Sequence, residues 1–145
     1  MAQKALGRAF NAAPAADGKW INLAYAGGAT FLAYLTGGVG DTFTLQEAKD
    51  SAGTGAQNLA CVTEYFTSTG DGSDAWARHS QSAAATVATA AATTENAAVF
   101  EVEGTQLSDG YQYVKVTATG AGTVAALTRD LEVQRAPENL PALGS

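Results

Sequence analysis

Residues 97–117, AAVFEVEGTQLSDGYQYVKVT, limit the possible fold more than any other stretch of the chain. Phe100 and Val102 alternate with Glu101 and Glu103. After a break at 104–110, Val114, Val116 and Ala118 alternate with Tyr113, Lys115 and Thr117. Successive side chains on a strand point to opposite faces, so each run has one face to bury and one to wet. Between the runs, Ser108-Asp109-Gly110 supplies turn chemistry, with a glycine free to take positive φ. The expectation is a pair of antiparallel strands joined by a loop of about seven residues, wider than a tight hairpin.

The same pattern continues along the chain. Residues 20–25, 30–35, 41–48, 58–67 and 124–133 read as further strands, and 75–80 resumes the chain at Trp76. Breaks rich in Gly, Asp and Ser separate them at 27–28, 37–40, 50–57, 68–74 and 120–122. TFLAYL at 30–35 has no polar face and reads as buried on both sides, or nearly so. Helix competes over 124–133. The tract 82–94 is low in complexity: Ala favours helix, whereas Thr and Val favour strand. It has no charged face to support an amphipathic helix, so strand plus extended linker is the preferred reading.

Residues 1–18 show no period of two and end in Asp17-Gly18, which suggests an arm outside the sheets, ordered only against a neighbour. Residues 135–145 contain Pro137 and Pro141, which cannot donate to a ladder. They read as an extended tail that Leu140 and Leu143 anchor in a groove. Together these features imply an all-β fold of roughly seven or eight short strands. The expected architecture is an antiparallel β-sandwich or jelly-roll-like barrel over 19–134, with an arm at 1–18 and a tail at 135–145.

The chain has 145 residues, the size of one ordinary domain with a sizeable core. Only 15% are charged, against the usual ~25%, and Ala, Gly and Thr take their place. A surface of that kind suits a protein that covers itself with its own copies or with a partner; it is equally the composition of a GC-rich genome. The net charge is −6 and the basic residues are scattered, which argues against nucleic acid and against an anionic membrane surface. No run approaches the ~20 apolar residues of a membrane span. Gly7, Arg8 and Asn11 interrupt the N-terminal segment, which therefore reads as an arm rather than a signal peptide. Cys61 is the single cysteine, so no internal disulfide forms; a reducing compartment or a cytoplasmically assembled particle fits.

Chemistry-bearing patterns are sparse. Gly38-Val39-Gly40 and Gly53-Thr54-Gly55 lack the further Gly and the Lys-Ser/Thr of a phosphate loop, and read as turns. Asp71-Gly72-Ser73-Asp74 lacks EF-hand spacing and reads as a surface turn rather than a calcium loop. Cys61, in LACVTEYF, reads as a small buried hydrophobe. His79 is the only histidine, whereas transition-metal sites usually recruit several His or Cys. Glu101 and Glu103 lie ~7 Å apart by strand rise, within glycosidase range, but on the face that alternation leaves wet. No catalytic residue, cofactor or metal is expected. A small hydrolase using Glu101 and Glu103, or His79, is the least favoured reading.

Three segments carry a resemblance to small virion proteins of tailed bacteriophages. They are TFTLQEAKDSAGTGAQNLACV at 42–62, VFEVEGTQLSDGYQYVKV at 99–116 and RAPENLPAL at 135–143. The first and second share a strand–loop–strand layout, and the third a Pro-Asn-Leu-Pro-like end. The resemblance implies a capsid decoration (cement) or minor head protein, β-rich and non-enzymatic, on the outside of the virion shell and assembled in the host cytoplasm. Its implied partners are the major capsid protein and its own copies as a dimer or trimer. The residues it singles out for partner binding are Phe10, Pro14, Asp109, Tyr111, Tyr113, Arg135, Pro137, Leu140 and Pro141. The alternative is a carbohydrate- or surface-binding β-sandwich in which Trp20, Trp76, Tyr111 and Tyr113 stack on sugars.

Overall fold

The computed structural model describes residues 4–35, 40–89 and 95–145. Among them, eleven strands build two antiparallel sheets packed face to face, an all-β sandwich. The strands are β1 (Phe10–Ala13), β2 (Ile21–Asn22), β3 (Ala26–Tyr34), β4 (Thr42–Ala48), β5 (Gln57–Asn58), β6 (Val62–Ser68), β7 (Ala77–Ala84), β8 (Thr86–Ala88), β9 (Ala97–Glu103), β10 (Tyr113–Ala118) and β11 (Thr123–Leu131). The larger sheet has six strands in the order β1-β11-β3-β9-β6-β7. The smaller runs β2-β10-β4-β5, with β8 also on β4.

Alternation builds the layer between the sheets. Phe31, Phe100, Val102 and Val124 point in from the larger sheet, and Phe43, Leu45, Val114 and Val116 meet them from the smaller one. Burial of each such side chain contributes about 1.5–3 kcal/mol. Phe31 and Phe100 lie opposite each other in register and stack with ring centroids 5.7 Å apart.

The two runs of 97–117 are both strands, but they do not pair with each other. β9 lies between β3 and β6 in the larger sheet, and β10 lies between β2 and β4 in the smaller one. Their connection crosses between the layers instead of folding back. It opens with a 3₁₀ turn, Gly104–Gln106, in which the Gln106 side chain accepts from the Glu103 N–H at 2.8 Å. Leu107 packs against the core, and Gly110 takes φ 81° in the turn closed by the Tyr111 N–H on the Ser108 carbonyl.

Glu47 fixes this crossover to β4. The carboxylate is 1% exposed and accepts from the Ser108 N–H, the Ser108 hydroxyl and the Gln57 amide. Burial pushes its pKa up, but the Ser108 and Gln57 hydrogen bonds outweigh that and hold it below the ordinary 4.5. Asp41 does the same at the opposite end of β4. It is buried and accepts from the backbone N–H groups of Thr42, Gly120 and Gly122 at 2.7–2.8 Å. A Cβ at Gly122 would lie 2.6 Å from the Asp41 carboxylate and 2.8 Å from the Phe43 ring, so only glycine fits there.

Several boundaries differ from the sequence reading. Gly27 and Gly28 are not a break but the start of β3, where a Cβ at Gly28 would meet the Val102 carbonyl at 2.6 Å. Close backbone approach explains Gly28, whereas a Cβ at Gly27 would meet the Asp130 side chain at 2.9 Å. Only Ile21–Asn22 of 20–25 is a strand, and 58–67 divides into β5 and β6. The tract 82–94 contributes the end of β7 and all of β8, and 90–94 lies outside the described residues, as does most of the 37–40 break. Residues 10–13, expected in an arm outside the sheets, form the edge strand β1 against β11. Their pattern was invisible because the inward residue is Asn11, polar but satisfied: its amide donates to the Pro141 carbonyl at 3.1 Å.

The tail, expected to be extended, takes a 3₁₀ turn at Pro137–Asn139 and then crosses the edges of both sheets. The Asn22 N–H donates to the Leu143 carbonyl, Tyr113 Oη donates to the Ser145 carbonyl, and Leu143 packs against the core.

Two measurements test the carboxylates. Asp41→Ala leaves three N–H groups without an acceptor and is expected to cost about 3 kcal/mol, read from the urea midpoint. Glu47 has a lower pKa folded than unfolded. Its stabilisation is therefore full above the unfolded value near 4.5 and is lost as pH falls through the folded pKa. Glu47→Gln should flatten the acid limb of a stability-against-pH curve; an unchanged limb would refute the assignment.

Candidate interaction surface

An antiparallel sheet with one solvated face normally alternates apolar-in and polar-out. The larger sheet does not. Its inward residues on β3 are Ala29, Phe31 and Ala33, and the residues between them include Leu32 and Tyr34, 41% and 38% exposed. Strand register extends this into a band. Leu32 lies opposite Ala125 of β11 on one side and Val99 of β9 on the other, and Val99 lies opposite Phe66 of β6. The row Ala125–Leu32–Val99–Phe66 thus crosses four strands on the outer face, with Ala125, Val99 and Phe66 half-buried. Tyr34 and Ala97 adjoin it on one side, and Leu127 with Ala12 on the other. TFLAYL therefore has one face in the core and one on this surface, not two buried faces.

Charge lies at the borders of the band. At one end Arg129 binds Glu103 and Asp130 and lies 3.4 Å from Glu101, which also accepts from the Thr30 hydroxyl at 2.9 Å. At the other, Arg78 pairs with Glu64. Between these clusters β6 and β9 diverge, because they pair only through Phe66–Ser68 and Ala97–Val99. The gap is a depression of about 370 Å³ lined by Cys61, Glu64, Phe66, Val99, Glu101 and Gln106. Apolar floor and charged border are the anatomy of a protein–protein contact.

Except for Phe10, the residues singled out from sequence fall into two groups elsewhere. Asp109 is exposed at the tip of the crossover, and Tyr111 beside it is half-buried with its hydroxyl donating to the Gly55 carbonyl at 3.1 Å. Tyr113, expected on the surface, is 7% exposed, because the tail covers it. Pro14, Pro137, Leu140 and Pro141 line one groove of about 640 Å³ between β1 and the tail. Arg135 lines an adjoining cavity of about 270 Å³, and its N–H donates to the Gly7 carbonyl. Phe10 stands opposite Arg129 at the edge of the outer band. Sequence reasoning missed Leu32, Phe66, Val99 and Ala125; the signal was the absence of a polar face in TFLAYL.

The candidate chemical groups are engaged structurally. Glu101 and Glu103 are exposed, as alternation predicts, and share Arg129. Thr67, buried, donates to Glu95 at 2.8 Å and so must accept from His79 Nε2 at 2.7 Å, while the imidazole stacks on Tyr65. Both partners meet one ring nitrogen, which is a lock and not a proton relay. Burial, followed by the Glu47 charge, pushes the half-buried Cys61 thiol up, away from the reactive thiolate. Asp71 and Asp74 accept from Thr69 in an exposed turn. Of the aromatic residues, Trp76 is 49% exposed, whereas Trp20 is half-buried beneath the Lys115 ammonium. Among the described residues no group of three or more His, Cys, Asp or Glu could hold a metal, and no helix is long and apolar enough to cross a membrane.

Comparison of the chain with protein-family models, curated proteins and solved structures finds no match.

The outer band makes a direct prediction. Leu32→Lys combined with Val99→Lys should shorten retention on a hydrophobic-interaction column while leaving the melting temperature within a few degrees, since neither side chain lies in the layer between the sheets. A large drop in melting temperature would mean that the band belongs to the core.

Proposed function

We propose that this chain is a non-enzymatic structural protein of a tailed-phage head, which decorates and stabilises the capsid by binding the major capsid protein and copies of itself. The observation that carries the reading is the outer band of the larger sheet: four strands contribute apolar side chains to a face that an isolated sandwich would keep polar. Stable protein contacts bury ~800 Å² per partner. Six strands ~4.8 Å apart and about seven residues long present roughly 700 Å² of flat face before side-chain relief is counted. The sheet is therefore large enough for one such contact.

Two further features support the reading. With 15% charged residues, the surface lacks the dense charge that keeps a free monomer well solvated. The segments resembling phage virion proteins, 42–62, 99–116 and 135–143, include β4, the crossover and the tail.

Sedimentation with empty head shells of the phage that encodes the chain tests the proposal. The protein should co-sediment at a fixed ratio to the major capsid protein and raise the shell's melting temperature. Leu32→Asp with Phe66→Asp should abolish binding without unfolding the free protein. Failure of the unmodified protein to co-sediment would sink the proposal.

A further inference from the structure

The layer between the sheets changes character at one end. Inward pairs between β1 and β11 run from Ala13–Ala126 to Asn11–Thr128, so the apolar pattern turns polar as β11 nears its last residues. Both polar side chains are buried. They line the cavity of about 270 Å³ that the tail closes with Leu140 and Leu143, and Ala26 and Leu131 belong to its apolar wall. Asn11 spends one amide N–H on the Pro141 carbonyl, and its side-chain oxygen accepts from the Ala12 N–H. A primary amide carries a second N–H, which is left for the cavity. The Thr128 hydroxyl has no hydrogen-bond partner among the described residues. A buried hydroxyl in that position is costly until something pairs with it.

We propose that this cavity binds a small neutral molecule with an apolar body and a single oxygen head, such as an alkyl phenol or a cyclic alcohol or ketone. Residues directly opposed on antiparallel strands have Cβ atoms ~4.5–5.5 Å apart, so the Thr128 hydroxyl and the second Asn11 N–H converge on one oxygen. Both donate to it, which selects an acceptor. The head is uncharged because nothing beside Asn11 and Thr128 would compensate a charge. Arg135 and Glu132, the charged residues of the lining, are both exposed and offset each other. Size sets the body. A dry cavity of ~150 Å³ holds benzene, so about 270 Å³ takes one ring with a short alkyl chain. Tyr25 and Val133, 60% and 56% exposed, stand at the mouth. The molecule rests against β11 on one side and against Leu140 and Leu143 on the other, and so clamps the tail in place. Asn11 and Thr128 face inward, away from the outer band, so this site and the capsid contact stand or fall separately.

Titration of the full chain with p-ethylphenol, followed by nuclear magnetic resonance, reads the site. Saturable shifts should appear in the Asn11 side-chain amide and in the backbone of Thr128, Leu131, Leu140 and Leu143, and hydrogen exchange along 140–143 should slow. Thr128→Val keeps the shape of the side chain and removes its hydroxyl. It should weaken p-ethylphenol about tenfold, the worth of one neutral hydrogen bond. The same variant should bind ethylbenzene as the unmodified protein does, and should melt no lower. Leu131→Trp fills the cavity and should abolish binding of both molecules. p-Ethylbenzoate, with the same body and a charged head, should bind more weakly than the phenol. Shifts that do not saturate or that spread over the outer band at Leu32 and Val99, an affinity indifferent to Thr128→Val, or equal binding of p-ethylbenzoate overturns the inference. Any of these results would leave the capsid-binding measurement standing on its own.

Discussion

Two buried carboxylates at the ends of β4 hold this sandwich in its topology. β10 reaches the smaller sheet by a crossover from β9 and leaves it by a second crossover to β11, both passing between layers. Glu47 pins the first through Ser108, and Asp41 pins the second through Gly120 and Gly122. Each carboxylate is almost wholly removed from water, which would be costly for an unpartnered charge. Each is offset by hydrogen bonds from groups that themselves needed partners. Neither crossover could shift without leaving a buried charge unsatisfied, so the dry layer of Phe31, Phe43 and Phe100 closes in a single arrangement.

That arrangement distributes apolar surface unevenly. The inward faces of both sheets are spent on each other, and the larger sheet carries in addition an apolar band across its outer face. Its ion pairs, Arg129 with Glu101, Glu103 and Asp130 and Arg78 with Glu64, stand at the ends of the band and not within it. The charged residues of the outer face are thus already paired, leaving its centre to contact by shape and area. β7 closes the same sheet on one side, and a bulge opposite Thr63 interrupts its pairing with β6.

The legible part of the fold was the part set by alternation. β4, β6, β9, β10 and β11 appear close to where the period of two places them, because each buries one face and the pattern records it. The misread elements lacked that record. β1 turns an asparagine inward, so its strand character rests on a hydrogen bond to Pro141, 130 residues away. Gly27 and Gly28 resemble a turn because the reasons for them lie on other strands, the Asp130 side chain for one and the Val102 carbonyl for the other. Of the interaction surface, only TFLAYL was visible, as a strand without a polar side; Phe66, Val99 and Ala125 join it only by register.

The sequence by itself determined that the chain is all-β, where most of its strands run, and that its last residues stay out of the sheets. Those properties follow from side-chain periodicity and from proline, which act over a few residues. Tertiary structure decided that the two runs of 97–117 part into different sheets, that Tyr113 lies under the tail, and that an apolar band crosses the outer face of the larger sheet. Strand partners are chosen by contacts between residues far apart in the chain, and a period of two specifies which face a residue takes but not the neighbour it meets.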